Sequence, residues 1–527
     1  MRAGQAALLL AATYFLARVI GLFQLTIINA LLPPGDSAAY FAAFRLPDII
    51  NYLVAGGAMS VTFIPIFTSL KHDGNERAAW KFFSTVASLM GVALAILIAL
   101  GILFADPLVR LTNPGFNDPD KAETLALTIE MTRVLLPAQL FFYLGGMVVG
   151  VLNAHRRFGA SGLTGAVYNL VAIAAGVLLW KLTNATGFAW GILIGAFAGN
   201  FLMPLLAARS GPHGERLRFD FCFEWQSRDV QRFFLNALPI MLGVSLPVVD
   251  QIVVGWFASY LPVENVAYLQ TGNRVMLAPL GILAQAASVA AFPFMASDSA
   301  ARNWQSLADF VRNGLRRLMF LSLAISTLLI LIARPLVSLL FGYGKFGEDR
   351  NAVSQTAVAF AFYCVGLFAW AGQQFVARGF YALQDTKTPT IIGTVLTFVF
   401  FIPLCWLMKN WNGVLGLSLA TSIGATAHFI CVLIALDMKM RGRKYNAHLR
   451  PEKVLGTLLR TLTACLVMGA AGLFAARFGA GLGSGKPGDV FNITITSVVA
   501  VIAFSVAASA IGIPEWKWIS AKIARRR

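Results

Sequence analysis

Long apolar stretches recur along the whole chain, separated by short polar segments. They fall at about residues 7–32, 38–70, 82–105, 124–152, 161–181, 187–208, 233–258, 265–297, 317–341, 353–381, 388–408, 413–437, 454–476 and 489–512. An α-helix rises 1.5 Å per residue, so roughly twenty apolar residues cross ~30 Å of hydrocarbon. Fourteen transmembrane helices are therefore predicted. The loops agree with that count. With the N-terminus inside, every inner loop carries at least as many Lys and Arg as its outer neighbours, as positive-inside topology requires. Dropping one span would invert every later loop, so both termini are expected on the cytoplasmic side.

A repeat divides the pattern. SVTFIPIFTS at 60–69 matches SVAAFPFMAS at 288–297 with an offset of 228, and LNAHRRFGASGLTG at 152–165 falls on FYALQDTKTPTIIG at 380–393 with the same offset. Six helices return a chain to its starting side, so two such units are parallel and related by an axis along the membrane normal. The predicted fold is an all-α polytopic membrane protein of two parallel six-helix repeats plus two C-terminal helices. Its predicted parts are a first bundle (1–210), a cytoplasmic interfacial linker (211–232), a second bundle (233–440), and helices 13 and 14 with a basic tail (441–527). Transporters of this build hold substrate between the bundles.

Composition confirms the class. The chain is 58% hydrophobic and 13% charged with a mean hydropathy of +0.71, far from a soluble average. Its net charge of +18 is spread over short loops rather than gathered in an aromatic-studded patch, so no nucleic-acid partner is expected. The five cysteines and five histidines lie scattered, giving neither a disulfide framework nor a metal-ligand spacing. No catalytic residue, cofactor or resident metal is predicted. The linker GPHGERLRFDFCFEWQSRDVQRFFL (211–235) mixes basic and aromatic residues and is expected along the inner membrane surface, and WKWISAKIARRR reads as an anchor attracted to anionic lipid. The longest outer loop, about 106–123, reads as a solvated turn.

Charges inside spans carry the candidate chemistry, because each costs ~2.5–3.5 kcal/mol near the bilayer centre unless it meets a cavity or a partner. Arg18 lies near the middle of the first span. Arg45 and Arg274 are 229 residues apart, so the repeat places them at equivalent depth in helices 2 and 8. Converging guanidiniums bind an oxyanion such as phosphate. A bridge from Arg45 to Asp48 is the structural alternative. Asp250 is a deep acid with no obvious local partner, a candidate site for Na⁺ or a proton. Asp385, at the inner end of helix 10, is a second candidate, equally explained as a turn or cap. Pro47, Gly56 and Gly57 are candidate gating positions in helix 2.

In order, ARVIG (17–21), AAFRLPDIINYL (42–53), VLNAHRRF (151–158), NRVM…PLGILAQA (273–286) and RGFYALQDTKTPT (378–390) resemble the MurJ (MviN) lipid II flippases of the MOP exporter superfamily. The resemblance implies a fourteen-helix fold and a central cavity whose arginines bind a lipid-linked pyrophosphate. It also implies a groove on helices 13 and 14 for the polyprenyl tail. Arg18 and Arg274 match cavity arginines of the family, and Arg45 matches its basic residue before LP. Gln24, Tyr52, Gly56 and Ala38 stand where the family carries charge, with Gln24 and Tyr52 still in substrate-binding positions. The implied activity is flipping of lipid II, a peptidoglycan precursor, across the bacterial inner membrane by alternating access, driven by Na⁺, H⁺ or the membrane potential. A drug/cation antiporter of the same superfamily and a transport-inactive scaffold are the alternatives. The expected partners are the lipid-linked glycan and anionic lipids, with cell-wall synthesis proteins as candidates.

Overall fold

In a computed structural model, residues 3–55, 62–155, 157–210, 217–242, 246–481 and 485–517 are described, and they form helices joined by short turns with no β-strand among them. Each expected span falls on helix over its described residues. Among these residues eight helices are long and apolar enough to cross a membrane unaided, or nine with Asn351–Val365 and Leu367–Ala382 taken as one bent span. Several expected spans are broken into shorter helices, and the 55-residue stretch Lys387–Arg441 joins the two expected at 388–408 and 413–437. It turns at Asn412–Gly413, where Gly413 adopts φ 44°.

Two compact units are present, one of Met1–Val244 with Pro262–Ala267, the other of Ser245–Leu261 with Tyr268–Arg527. The first contains α1 (Ala3–Leu31), α2 (Pro34–Ala43), α3 (Arg45–Ala55), α4 (Ile64–His72), α5 (Glu76–Leu103) and α6 (Ala105–Thr112). It continues with α7 (Ala122–Leu135), α8 (Ala138–Ala154), α9 (Phe158–Thr183), α10 (Thr186–Gly195), α11 (Met203–Arg209) and α12 (Arg228–Leu242). Asn75 starts α5 by accepting the Ala78 amide at 3.1 Å, the side-chain cap that an exposed helix start needs. A core of stacked aromatics follows, with Phe63 5.6 Å from Phe67 and 5.5 Å from Phe82, and α12 adds the buried Val230, Phe233 and Ala237.

The second unit contains α13 (Leu246–Ala258), α14 (Glu264–Leu280, from Tyr268 onward), α15 (Ala286–Ala300), α16 (Trp304–Leu331), α17 (Ala333–Phe341) and α18 (Gly344–Glu348). Then come α19 (Arg350–Val365), α20 (Leu367–Ala382), α21 (Lys387–Leu396), α22 (Ile402–Arg441), α23 (Pro451–Ala480) and α24 (Gly485–Ala510). The C-terminal pair α23–α24 packs on α16 through Phe320, Leu323, Met468 and Phe504. It is pinned at one end by Arg316, which pairs with Glu515 at 2.8 Å and donates to Thr457 at 2.8 Å. At the other end the Ser338 hydroxyl donates to Asp489 at 2.6 Å.

Asn184, with φ 51°, turns the chain between α9 and α10, and Gly413, with φ 44°, turns it within α22.

Candidate functional site

Pro47 shapes the surroundings of Arg45. Proline has no N–H, so the carbonyl four residues back, that of Ala43, loses its helical partner. The helix stops there, α3 starts two residues later, and the Thr132 hydroxyl of α7 donates to the freed Ala43 carbonyl at 3.3 Å. Within a membrane such a carbonyl must find a partner inside the protein, and Thr132 supplies it. The expected single helix over 38–70 is therefore broken between α2 and α3, and Gly56 and Gly57 lie outside the described residues.

Arg45 is the first residue of α3 and only 5% exposed. Its Nη1 donates to the Thr112 carbonyl at 3.1 Å and to Asn113 Oδ1. Thr112 ends α6, where a cation meets the partial negative charge of the helix terminus. Nε and Nη2 are buried without a hydrogen-bond partner among the described residues. Arg45 thus bridges α3 to the loop after α6. The stretch 106–123, expected as a solvated turn, is partly internal, because Asn113 and Phe116 are fully buried, Asn113 against that guanidinium. No sequence signal marked Asn113, which sits in a Thr-Asn-Pro-Gly run that resembles any turn.

The other first-unit candidates are spread over three helices. Arg18 is exposed on α1, Gln24 is half-buried two turns on, Tyr52 is half-buried on α3, and Ala38 is buried in α2. In the second unit Arg274 is exposed on α14. Arg45 and Arg274, equivalent by the repeat, therefore differ in surroundings, one enclosed and one open.

Asp250 lies on α13, 5% exposed, and its Oδ1 has no partner among the described residues. It opens into a cavity within the second unit lined also by Gln251, Asn273, Tyr363, Gln374 and Thr421. Gln251 Nε2 reaches Asn273 Oδ1 at 3.4 Å across α13 and α14. One carboxylate among neutral amide and hydroxyl oxygens is a hard-oxygen donor set, the kind that suits a small cation. Among the described residues no group of three His, Cys, Asp or Glu could hold a metal ion, so such a cation would rest on Asp250 and neutral oxygens. Sequence reasoning found the acid but missed its amide and hydroxyl neighbours, which come from five helices and share no motif.

Asp385 has a different setting. Its Oδ1 accepts the amides of Lys387 at 3.1 Å and Thr388 at 3.0 Å, starting α21, while Oδ2 accepts the Thr388 hydroxyl at 2.5 Å and pairs with Lys439 of α22. Lys439 already neutralises it, which leaves a cap and a helix tie in place of an open cation site. Burial works to raise its pKa, but the hydrogen bonds from Lys439 and Thr388 outweigh it and hold the carboxyl down at about 2. A folded-state pKa below the unfolded one stabilises the fold above the ordinary carboxylate range, and that contribution fades as pH falls through about 2. Asp385→Ala should lower thermal stability at pH 7 by about 1 kcal/mol from the lost cap, with Asp385→Asn intermediate. Equal melting of all three proteins in detergent at pH 7 would contradict this role.

A helical membrane body carrying arginines within its spans and a buried acid at a largely apolar cavity with a few amides and hydroxyls defines the class, a polytopic helical transporter. Residues 35–486 match the model of the lipid II flippase MurJ family. A probable lipid II flippase MurJ of Bdellovibrio bacteriovorus is 27% identical over 509 residues, covering 95% of this chain and 93% of the relative. The lipid II flippase MurJ of Burkholderia cenocepacia is 28% identical over 439 residues, covering 81% and 82%. Among solved structures, a lipid II flippase MurJ in an inward closed conformation superposes with a TM-score of 0.75 at 20% identity, over 96% of this chain and 99% of that one. An inward-facing multidrug resistance MATE transporter of the MOP superfamily gives 0.68 at 16% identity, over 80% and 94%. The chain belongs to the lipid II flippase MurJ family.

Proposed function

We propose that the protein flips a polyprenyl-pyrophosphate-linked peptidoglycan precursor, lipid II, from the inner to the outer leaflet of the bacterial plasma membrane by alternating access. In this reading both termini are cytoplasmic, fourteen helices cross the membrane, and anionic lipids and the lipid-linked glycan are its membrane partners. The observation that carries it is the family match over residues 35–486, within which Arg45 and Arg274 lie, with Arg18 in the segment just before. A pyrophosphate crossing hydrocarbon must be offered fixed positive charge in exchange for its water. Arg18 and Arg274 are exposed and supply it, while Arg45, already bonded to Thr112 and Asn113, contributes with its remaining nitrogens. Gln24 and Tyr52 add neutral donors where relatives place charge.

Asp250 serves as the cation site of the cycle, for Na⁺ or a proton. Moving net charge couples transport to the membrane potential by about 2.3 kcal/mol per elementary charge per 100 mV. The purified protein in liposomes should move a labelled polyprenyl-pyrophosphate glycan between leaflets faster than empty liposomes, with a rate that responds to an imposed voltage. A well-inserted protein that moves none would favour the transport-inactive scaffold. Movement of cationic drugs in its place would favour the antiporter of the same superfamily, whose fold it shares.

A further inference from the structure

Residues 217–224 of the first unit, LRFDFCFE, run as a non-helical strap along the start of α5 and turn at Trp225, whose amide donates to the Phe223 carbonyl at 3.1 Å. Alternate residues hold it there. The Asp220 amide donates to Ser84 Oγ at 3.1 Å, Cys222 Sγ lies 3.2 Å from Thr85 Oγ1, and Glu224 pairs with Lys81 at 2.5 Å. The intervening side chains are Phe219, Phe221, Phe223 and Trp225, which are 50%, 66%, 50% and 52% exposed. Phe219, Phe221 and Phe223 form an exposed comb, and Trp225, half exposed, closes it against Phe234 of α12.

Two independent contacts fix the depth of the comb. Lys81, Ser84 and Thr85 straddle the start of the apolar span at 82–105. At the far end the Trp225 ring sits 4.9 Å from Phe234, in the first turn of the span at 233–258. Both place the aromatic face at the boundary between headgroups and acyl chains, the level where aromatic rings are favoured. Charge adds the second half of the match. Arg218, Arg228 and Arg232 are exposed within the segment and outnumber Asp220 and Asp229, while Glu224 is paired with Lys81, so the segment keeps a net positive charge. One turn beyond Arg228 and Arg232, Leu235 is 75% exposed, so the polarity falls along α12 from guanidinium to aliphatic as it would on entering a leaflet.

We propose that residues 218–235 form an anionic phospholipid site, in which the four aromatic side chains enter the acyl boundary and Arg218, Arg228 and Arg232 take headgroup phosphates. The site shares no residue with Arg18, Arg274 or Asp250 and does not depend on what the protein transports. Trp225 reports on it directly, since the fluorescence difference between the wild type and Trp225→Phe isolates its signal. In liposomes, brominated phosphatidylglycerol should quench that signal at least about twofold more than brominated phosphatidylcholine, because each basic residue near the surface favours the anionic lipid. The triple variant Arg218→Gln, Arg228→Gln, Arg232→Gln should lose the preference while brominated lipid of either kind still quenches. Hydrogen exchange of the 217–226 backbone in wild-type protein, slower in phosphatidylglycerol than in phosphatidylcholine nanodiscs, checks the same point without substitution. Equal quenching by the two lipids would overturn the headgroup assignment. Quenching only by aqueous iodide would overturn the lipid contact altogether, leaving the comb to a water-filled face or a protein partner.

Discussion

Alanine at Arg274 or at Arg18 should abolish growth of cells that depend on this protein for their flippase, while the variants still insert at wild-type levels. Truncating one partner of a desolvated charge pair costs about 2–5 kcal/mol, or roughly thirty-fold to several thousand-fold in the step concerned. A flippase slowed that far cannot keep pace with cell-wall growth. Arg274→Lys separates charge from shape, because lysine keeps the charge but loses the planar fork that grips a phosphate through two parallel bonds. It should restore part of the rate of Arg274→Ala in liposomes. Arg45 should behave differently. Its guanidinium is spent partly on Thr112 and Asn113, so Arg45→Ala should lower the yield of folded protein as well as transport. Growth at the wild-type rate from both Arg18→Ala and Arg274→Ala would remove the anion-binding role from the proposal.

Much of this was legible in the chain. The apolar runs and the loop charges give a helical membrane protein, because hydrocarbon admits few other solutions. The repeat places Arg45 and Arg274 at matching positions, and Asp250 stands out as a deep acid. What the chain hides are partners brought by other helices. Pro47 reads as a kink, yet its effect is to end α2 at Ala43, and the rescue by Thr132 comes from 89 residues away. Asn113 reads as a loop residue because its value lies in a contact with Arg45, 68 positions earlier. The alternation in FDFCFEW is visible as letters, but only the docking on Ser84 and Thr85 shows which face is spent. Local pattern thus fixes the elements, while the polar pairings that tune the site are set by tertiary neighbours.

A large structural effect is expected at Gly191. Gly187, Gly191, Gly195 and Gly199 recur every fourth residue and so lie along one face of α10 and the wider turn that follows, Ala196–Leu202. That face meets α9 at backbone distance. A Cβ at Gly191 would come within 2.6 Å of the Ala172 carbonyl oxygen and 2.7 Å of the Gly176 backbone, and one at Gly195 within 2.8 Å of the Tyr168 carbonyl oxygen. These are main-chain atoms, so no rotamer change relieves the clash and the helices must separate. In a bilayer, lipid competes equally for apolar surface, and helix pairs are held by close packing of such small residues. Overpacking costs about 1–3 kcal/mol where side chains can yield, and here it should exceed about 3 kcal/mol because they cannot. Gly191→Leu should therefore yield little monodisperse protein in detergent. Gly469 on α23 is the control, since an added Cβ there meets nothing within 4 Å, and Gly469→Ala should match or slightly raise wild-type stability through better helix propensity. If Gly191→Leu melted within a few degrees of Gly469→Ala, the α9–α10 seam would have to be far looser than these distances describe.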